Sequence, residues 1–263
     1  MRRAAAILTL VGCGLAGHAQ AAPILNVSAV YEARLLIKVA DLRADQSVRP
    51  DGFKAGARVA TIGALGVIKP AVLEAHADGG VAGGAPSPAI YVQIQKNKQR
   101  IARYTAGGQG SLADPLTQLL RAALQPGSGS PCIGTTPVYD GRQRYDLILS
   151  PAGARTLSGA TAHFGLVHPV ACRLGFRPIS GFSSGAQKKN PFVTRDPEAT
   201  FAYEPRAQVW LMTDVSVPTL VGTGHIALTS VHMDGARPTF TAPAPPPPVQ
   251  TRPNKAKPKP RRG

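Results

Sequence analysis

Residues 26–39 alternate apolar and polar side chains with period two. Val27, Ala29, Tyr31, Ala33, Leu35, Ile37 and Val39 share one face, and Ser28, Glu32, Arg34 and Lys38 the other. Alternate residues of an extended chain point the same way, so this segment is predicted as one half-buried antiparallel strand. The pattern recurs over Ile90–Gln95 and Arg100–Thr105, on either side of the polar run Lys96-Asn97-Lys98-Gln99, and predicts a hairpin. Arg58–Ile68 is apolar but broken by glycine and is read as a further strand. Val138–Leu149 folds back at Asp140-Gly141, where glycine accepts the positive φ of a tight turn, leaving Tyr145, Leu147 and Leu149 facing inward. Further strands are predicted at Val170–Phe176, Gln208–Thr213 and Ile226–Met233. Ser183–Pro197, with Lys188-Lys189-Asn190-Pro191 at its centre, reads as an exposed loop.

One segment has helical period. Asp114 is a capping residue, and Pro115 sits in the first turn, where a missing N–H does no harm. Leu116, Leu119, Leu120, Ala123 and Leu124 form an apolar stripe before Pro126-Gly127 ends the run. Such a stripe must be covered, and the sheet is the available surface. The expected fold is therefore mainly β: a curved, half-barrel-like antiparallel sheet of roughly eight to ten strands. The amphipathic helix 114–125 packs on its concave side. A groove between sheet and helix, lined by Leu116, Leu119, Leu120, Tyr145 and Trp210, is the candidate site for an apolar or lipid-like ligand.

Composition adds an address. Met1-Arg2-Arg3, an apolar run from Ala4 to Leu15 and Ala19-Gln20-Ala21 form the pattern of an export signal over residues 1–21. The run is too short and too interrupted by glycine to span a bilayer, so no integral membrane protein is expected. Leu10-Val11-Gly12-Cys13 also resembles a lipobox, which makes lipidation at Cys13 the minority alternative to a soluble periplasmic or secreted protein. Export leaves Cys132 and Cys172, which are expected to pair in an oxidising compartment as a structural bridge, because the Cys-x-x-Cys spacing of redox catalysts is absent. With 28 Gly and 25 Pro among 263 residues, the β-rich domain expected at 22–240 is built from short elements and many turns.

The formal charge of +16 is unevenly placed. Residues 241–263 combine an Ala/Pro run with Arg252, Lys255, Lys257, Lys259, Arg261 and Arg262 and hold no acid. Nothing there is apolar enough to bury, so a disordered tail is expected. Lys255, Lys257, Lys259, Arg261 and Arg262 are candidate contacts for an anionic envelope polymer or lipid. Nucleic acid is not expected as a partner of an exported chain.

The segment Cys132…Tyr139-Asp140-Gly141-Arg142-Gln143-Arg144-Tyr145-Asp146-Leu147…Cys172…Trp210-Leu211…Pro218 resembles DUF3108, a family of exported bacterial proteins of unknown function. The helix start Asp114-Pro115-Leu116 and the stretch Val217-Pro218…Gly222-Thr223…Leu228 fit the same pattern, so the resemblance covers roughly Ala29–Met233. It implies an envelope location and a mostly β domain, and it implies no catalytic residues.

Catalytic patterns are thin. Gly181-Phe182-Ser183-Ser184-Gly185 matches a nucleophile elbow in letters, but Gln187-Lys188-Lys189-Asn190-Pro191 follows where a helix is required, so a Gly/Ser loop is expected. His76, His163, His168, His225 and His232 lack a metal-ligand spacing and are expected as isolated half-buried side chains. On one regular strand, His225 and His232 would face opposite sides. Carboxylates are unclustered, and no glycine loop is built for phosphate. The sequence therefore predicts no enzyme, cofactor or metal. It predicts an envelope protein that binds an apolar ligand between sheet and helix. The alternative is a structural or interaction module tethered by its basic tail.

Overall fold

The computed structural model describes residues 24–68, 70–96, 98–105, 112–157, 159–183, 197–219 and 222–238. The expected signal peptide, Cys13, the basic tail and the centre of the 183–197 loop lie outside the described residues.

Twelve strands form one antiparallel sheet: β1 (Leu25–Arg34), β2 (Lys38–Val48), β3 (Gly52–Thr61), β4 (Val72–Ala82), β5 (Ala85–Gln95), β6 (Lys98–Arg103), β7 (Gly134–Tyr139), β8 (Arg144–Ala154), β9 (Val167–Ser180), β10 (Glu198–Glu204), β11 (Val209–Thr219) and β12 (Gly222–Gly235). Their order is β6-β5-β4-β3-β2-β1-β12-β11-β10-β9-β8-β7. The chain meanders through its first six strands, leaves the sheet, and returns at the far edge to meander back until β12 pairs with β1. Helix α1 (Gly63–Ile68) joins β3 to β4, and helix α2 (Pro115–Ala123) lies between β6 and β7 in sequence.

The sheet curls until its two edge strands approach, giving a nearly closed barrel with α2 inside it, in contact with β3, β4, β5, β7 and β11. Side chains and one short segment bridge the β6–β7 seam. The Tyr104 hydroxyl donates to the Tyr139 carbonyl, and Arg100 faces Asp140 at 3.8 Å. Ala113 lies along β7 and accepts from the Tyr139 N–H at 3.0 Å. Covering an edge in this way removes a template for aggregation.

The expected mainly β, curved antiparallel architecture with one packed amphipathic helix is what the structure shows, but with more strands than expected. Residues 26–39 make two strands rather than one. The chain reverses at Leu35–Ile37, where Leu36 puts an apolar residue in the polar phase. Arg58–Ile68 is strand only to Thr61, then α1. In the 90–105 hairpin Gln95 already pairs with Lys98, so the strands run further into the expected polar turn than its four residues suggest. Strands β2, β4 and β10 escape the periodicity. β4 carries only alanine at its buried positions Ala75 and Ala77, flanked by Glu74 and Asp78, and β10 adjoins the polar 183–197 loop.

The disulfide expected between Cys132 and Cys172 is present, tying the segment after α2 to β9. The core divides around the helix. Leu120 and Leu124 join Leu25, Val48, Phe53 and Leu211 on one side. Ala122 joins Leu149, Cys172, Phe201 and Trp210 on the other.

Candidate functional site

Helix α2 is set by its N-terminus. Asp114 accepts from the Thr117 N–H at 2.8 Å and from the Thr117 hydroxyl at 2.5 Å. These bonds satisfy donors that the first helical turn leaves open. Arg121 Nε donates to the Pro86 carbonyl at 2.8 Å, and Gln118 Nε2 to the Pro137 carbonyl at 3.0 Å. The helix is therefore fastened to both meanders. Among the described residues, no buried side-chain nitrogen or oxygen lacks a partner. Burial pushes the Asp114 carboxyl above its ordinary pKa against its hydrogen bonds, and lowers that of Arg121.

A cavity of about 200 Å³ remains between the helix and the wall formed by β1, β2, β3 and β11. Leu116, Leu119 and Ala123 line it from α2, one helical stripe at i, i+3 and i+7. Facing them are Tyr31, Leu42, Val59, Phe201, Trp210 and Met212. Burial raises the Tyr31 phenol well above its ordinary range, so Tyr31 itself stays a neutral hydroxyl. The lining also includes Arg43 and Arg58, whose exposed side chains pair with Asp45 and Glu74. The space is somewhat larger than the roughly 150 Å³ apolar cavity that takes up benzene. It suits one ring or a short length of hydrocarbon chain.

Three of the five predicted lining residues are brought together: Leu116, Leu119 and Trp210. Leu120 is 0% exposed and lies in the core, because it falls on the adjacent helical face beside Leu25 and Val48. Tyr145 packs on the β8–β9 wall, with ring centroids 4.4 Å from Phe176 and 6.3 Å from Phe182. Sequence reasoning missed Leu42, Val59 and Met212. The β1 alternation exposes Tyr31 as an inward residue, but nothing in a single chain aligns β2, β3 and β11 opposite α2.

The histidines are placed differently from the half-buried expectation: all five are exposed. Pairing of β1 with β12 passes from Val30–Ser230 to Tyr31–Leu228, leaving Thr229 as an extra residue. That bulge reverses the parity of β12, so His225 and His232 share the outer face rather than opposite ones. His225 approaches Asp214 at 3.4 Å. A shallow outer depression runs from His232 past Ser28 and Asp45 to His76. Ser28 Oγ donates to Asp45 Oδ1 there at 2.7 Å. Among the described residues, no three His, Cys, Asp or Glu side chains cluster for a metal, and no helix is long and apolar enough to cross a membrane. Gly181, Phe182 and Ser183 follow β9, and the rest of the elbow-like motif lies outside the described residues.

No family model matches the chain, so the DUF3108 resemblance stands on the motifs alone. No curated protein matches it. Solved structures of similar fold include the following two. The hypothetical protein CT021 from Chlamydia trachomatis is 11% identical, with 83% of this chain and 92% of that chain covered and a TM-score of 0.34. A beta-barrel-like protein of the domain of unknown function DUF1849 from Brucella abortus is 9% identical, with 81% and 98% covered and a TM-score of 0.38. The fold assignment rests on the strand pairings themselves.

Proposed function

We propose that this protein is an exported, non-enzymatic binding protein of the bacterial cell envelope, of the DUF3108 kind. Its ligand is a small apolar molecule or the end of an acyl chain, held between α2 and the β1–β3 wall. The observation that carries the reading is the apolar cavity of about 200 Å³ lined by Leu116, Leu119 and Trp210. Such a space gains by taking up hydrocarbon that would otherwise order water. The disulfide supports an oxidising compartment.

The test is native mass spectrometry of the protein purified from the periplasm of an expression host, followed by solvent extraction and titration with a lipophilic dye. A bound lipid mass, or dye uptake abolished by filling the cavity with Ala57→Phe, is expected. A clean apo mass together with no dye binding sinks the reading. The alternative, a tethered interaction module, draws on the acid-free basic tail and is tested separately below.

A further inference from the structure

Exposed apolar side chains are not spread evenly over the barrel. Antiparallel pairing puts the β1–β2 turn, α1, the start of β4 and the β5–β6 turn at one end. That end carries Leu36 at 85% exposure, Ile37 at 62%, Val67 at 84% and Val72 at 42%. The 35–37 turn and α1 are neighbours: the Ile62 N–H donates to the Val39 carbonyl at 3.0 Å, and α1 contacts β2. The turn is held in place, since the Leu35 N–H donates to the Ile37 carbonyl at 3.0 Å while Arg34 pairs with Lys38 in the ladder. A cluster of this kind at a strand tip marks an interaction site.

The surrounding charge selects the occupant. Glu32 and Asp41 are already engaged by Arg34 and Lys38. Lys96 and Lys98 flank the neighbouring turn, are exposed, and form no ion pair among the described residues. Arg142 is exposed on the β7–β8 turn, at the same end. An apolar tip on a barrel end that also presents Lys96, Lys98 and Arg142 matches the interface of an anionic bilayer, where leucine and isoleucine enter the acyl boundary and lysines reach headgroup phosphates. The strands that converge on the tip, β1, β2 and β3, are those whose Tyr31, Leu42 and Val59 line the cavity.

We infer that this end of the barrel docks on an anionic phospholipid surface by inserting the Leu35–Ile37 turn and Val67. As a route for a lipid-like guest this rests on the proposed function, but docking itself does not require the cavity to be filled.

Flotation with phosphatidylethanolamine–phosphatidylglycerol vesicles tests it, on protein purified from the periplasm. The variants are Leu36→Asp with Ile37→Asp, Val67→Asp alone, and Ile24→Asp at the opposite end. A fourth full-length variant carries glutamine at Lys255, Lys257, Lys259, Arg261 and Arg262, which separates the tail's own attraction. The parent, the Ile24 variant and the tail variant are expected to float with anionic vesicles and far less with phosphatidylcholine. The double tip variant should lose binding by at least about tenfold, and Val67→Asp by a few-fold. Folding of each is checked by circular dichroism. Equal flotation of parent and folded tip variants overturns the inference, as does a parent that ignores vesicles. A parent that is dimeric and becomes monomeric in the tip variant, without vesicle binding, also overturns it in favour of a second copy. Dye uptake without vesicles reads the cavity separately, so loss of docking with dye binding intact leaves the proposed function standing.

Discussion

Trp210 donates its indole N–H to the Pro126 carbonyl at 3.3 Å, and so pins the end of α2 to the wall that bounds the cavity. The Pro126 carbonyl also accepts from the Gly129 N–H at 2.8 Å, so losing the indole leaves no orphaned acceptor. Trp210→Phe should therefore cost about 2–3 kcal/mol, mostly from the lost packing of the buried indole with about 1 kcal/mol from the hydrogen bond, measured by urea denaturation. Trp210 is the single tryptophan. Its emission in the parent should shift when a lipophile enters the cavity, and remain fixed if the cavity is not the binding site.

The Cys132–Cys172 bridge closes a loop of 40 residues. Replacing both cysteines with serine should lower stability by about 4 kcal/mol on the loop-closure argument. The strand pairings of β8 with β9 survive in the folded fraction. A change below about 1 kcal/mol would mean that the loop is already ordered in the unfolded ensemble.

Asp114 gives a pH signature. Its folded pKa is raised above the ordinary value of 3.8 by burial. The folded state then holds the proton more tightly, so this group's contribution is fully present below the unfolded pKa and is lost as pH rises through the folded one. Asp114→Asn keeps an acceptor for the Thr117 N–H and removes the titration. Its stability relative to the parent should improve as pH goes from about 4 to 7. Asp114→Ala, which removes the cap as well as the titration, should lie about 1–2 kcal/mol below Asp114→Asn at every pH. Denaturation midpoints of the three proteins at several pH values decide it, and parallel curves for parent and Asn variant would refute the assignment.

Gly141 holds the seam. Its φ is +88°, and a β-carbon there would stand 2.9 Å from the Ile101 carbonyl oxygen of β6. Gly141→Ala should cost about 1–2 kcal/mol in backbone strain and push β6 from β7. Hydrogen exchange should quicken first at Tyr139 and Ala102. Unchanged protection would show that the seam is held elsewhere.

The tail is tested by charge. If Lys255, Lys257, Lys259, Arg261 and Arg262 tether the protein, their replacement by glutamine should abolish salt-sensitive retention on anionic envelope fractions. Retention that is unchanged removes the tethering reading.

Much of the fold was legible. The β1 alternation names Val27, Ala29 and Tyr31 as inward residues, and the Asp114-Pro115 start locates α2 within one or two residues. Asp140-Gly141 marks a real turn, and the cysteines pair as their number and compartment suggest. Element boundaries were less legible where apolar side chains serve the surface. Leu35, Leu36 and Ile37 continue the look of a buried strand, yet form an exposed turn.

The sequence by itself determined the local choices: which segments extend, where the single amphipathic helix begins, and which residues the chain cannot leave in water. These depend on neighbours a few positions away, through backbone sterics and the periods of strand and helix. Only the tertiary structure decided the pairing of β1 with β12, the enclosure of α2 within the curled sheet, and which leucine meets the cavity. Leu119 and Leu120 are adjacent and chemically identical, yet one lines the cavity and the other is core. What separates them is a helical rotation of about 100° against strands distant in sequence, fixed by packing that no local pattern encodes.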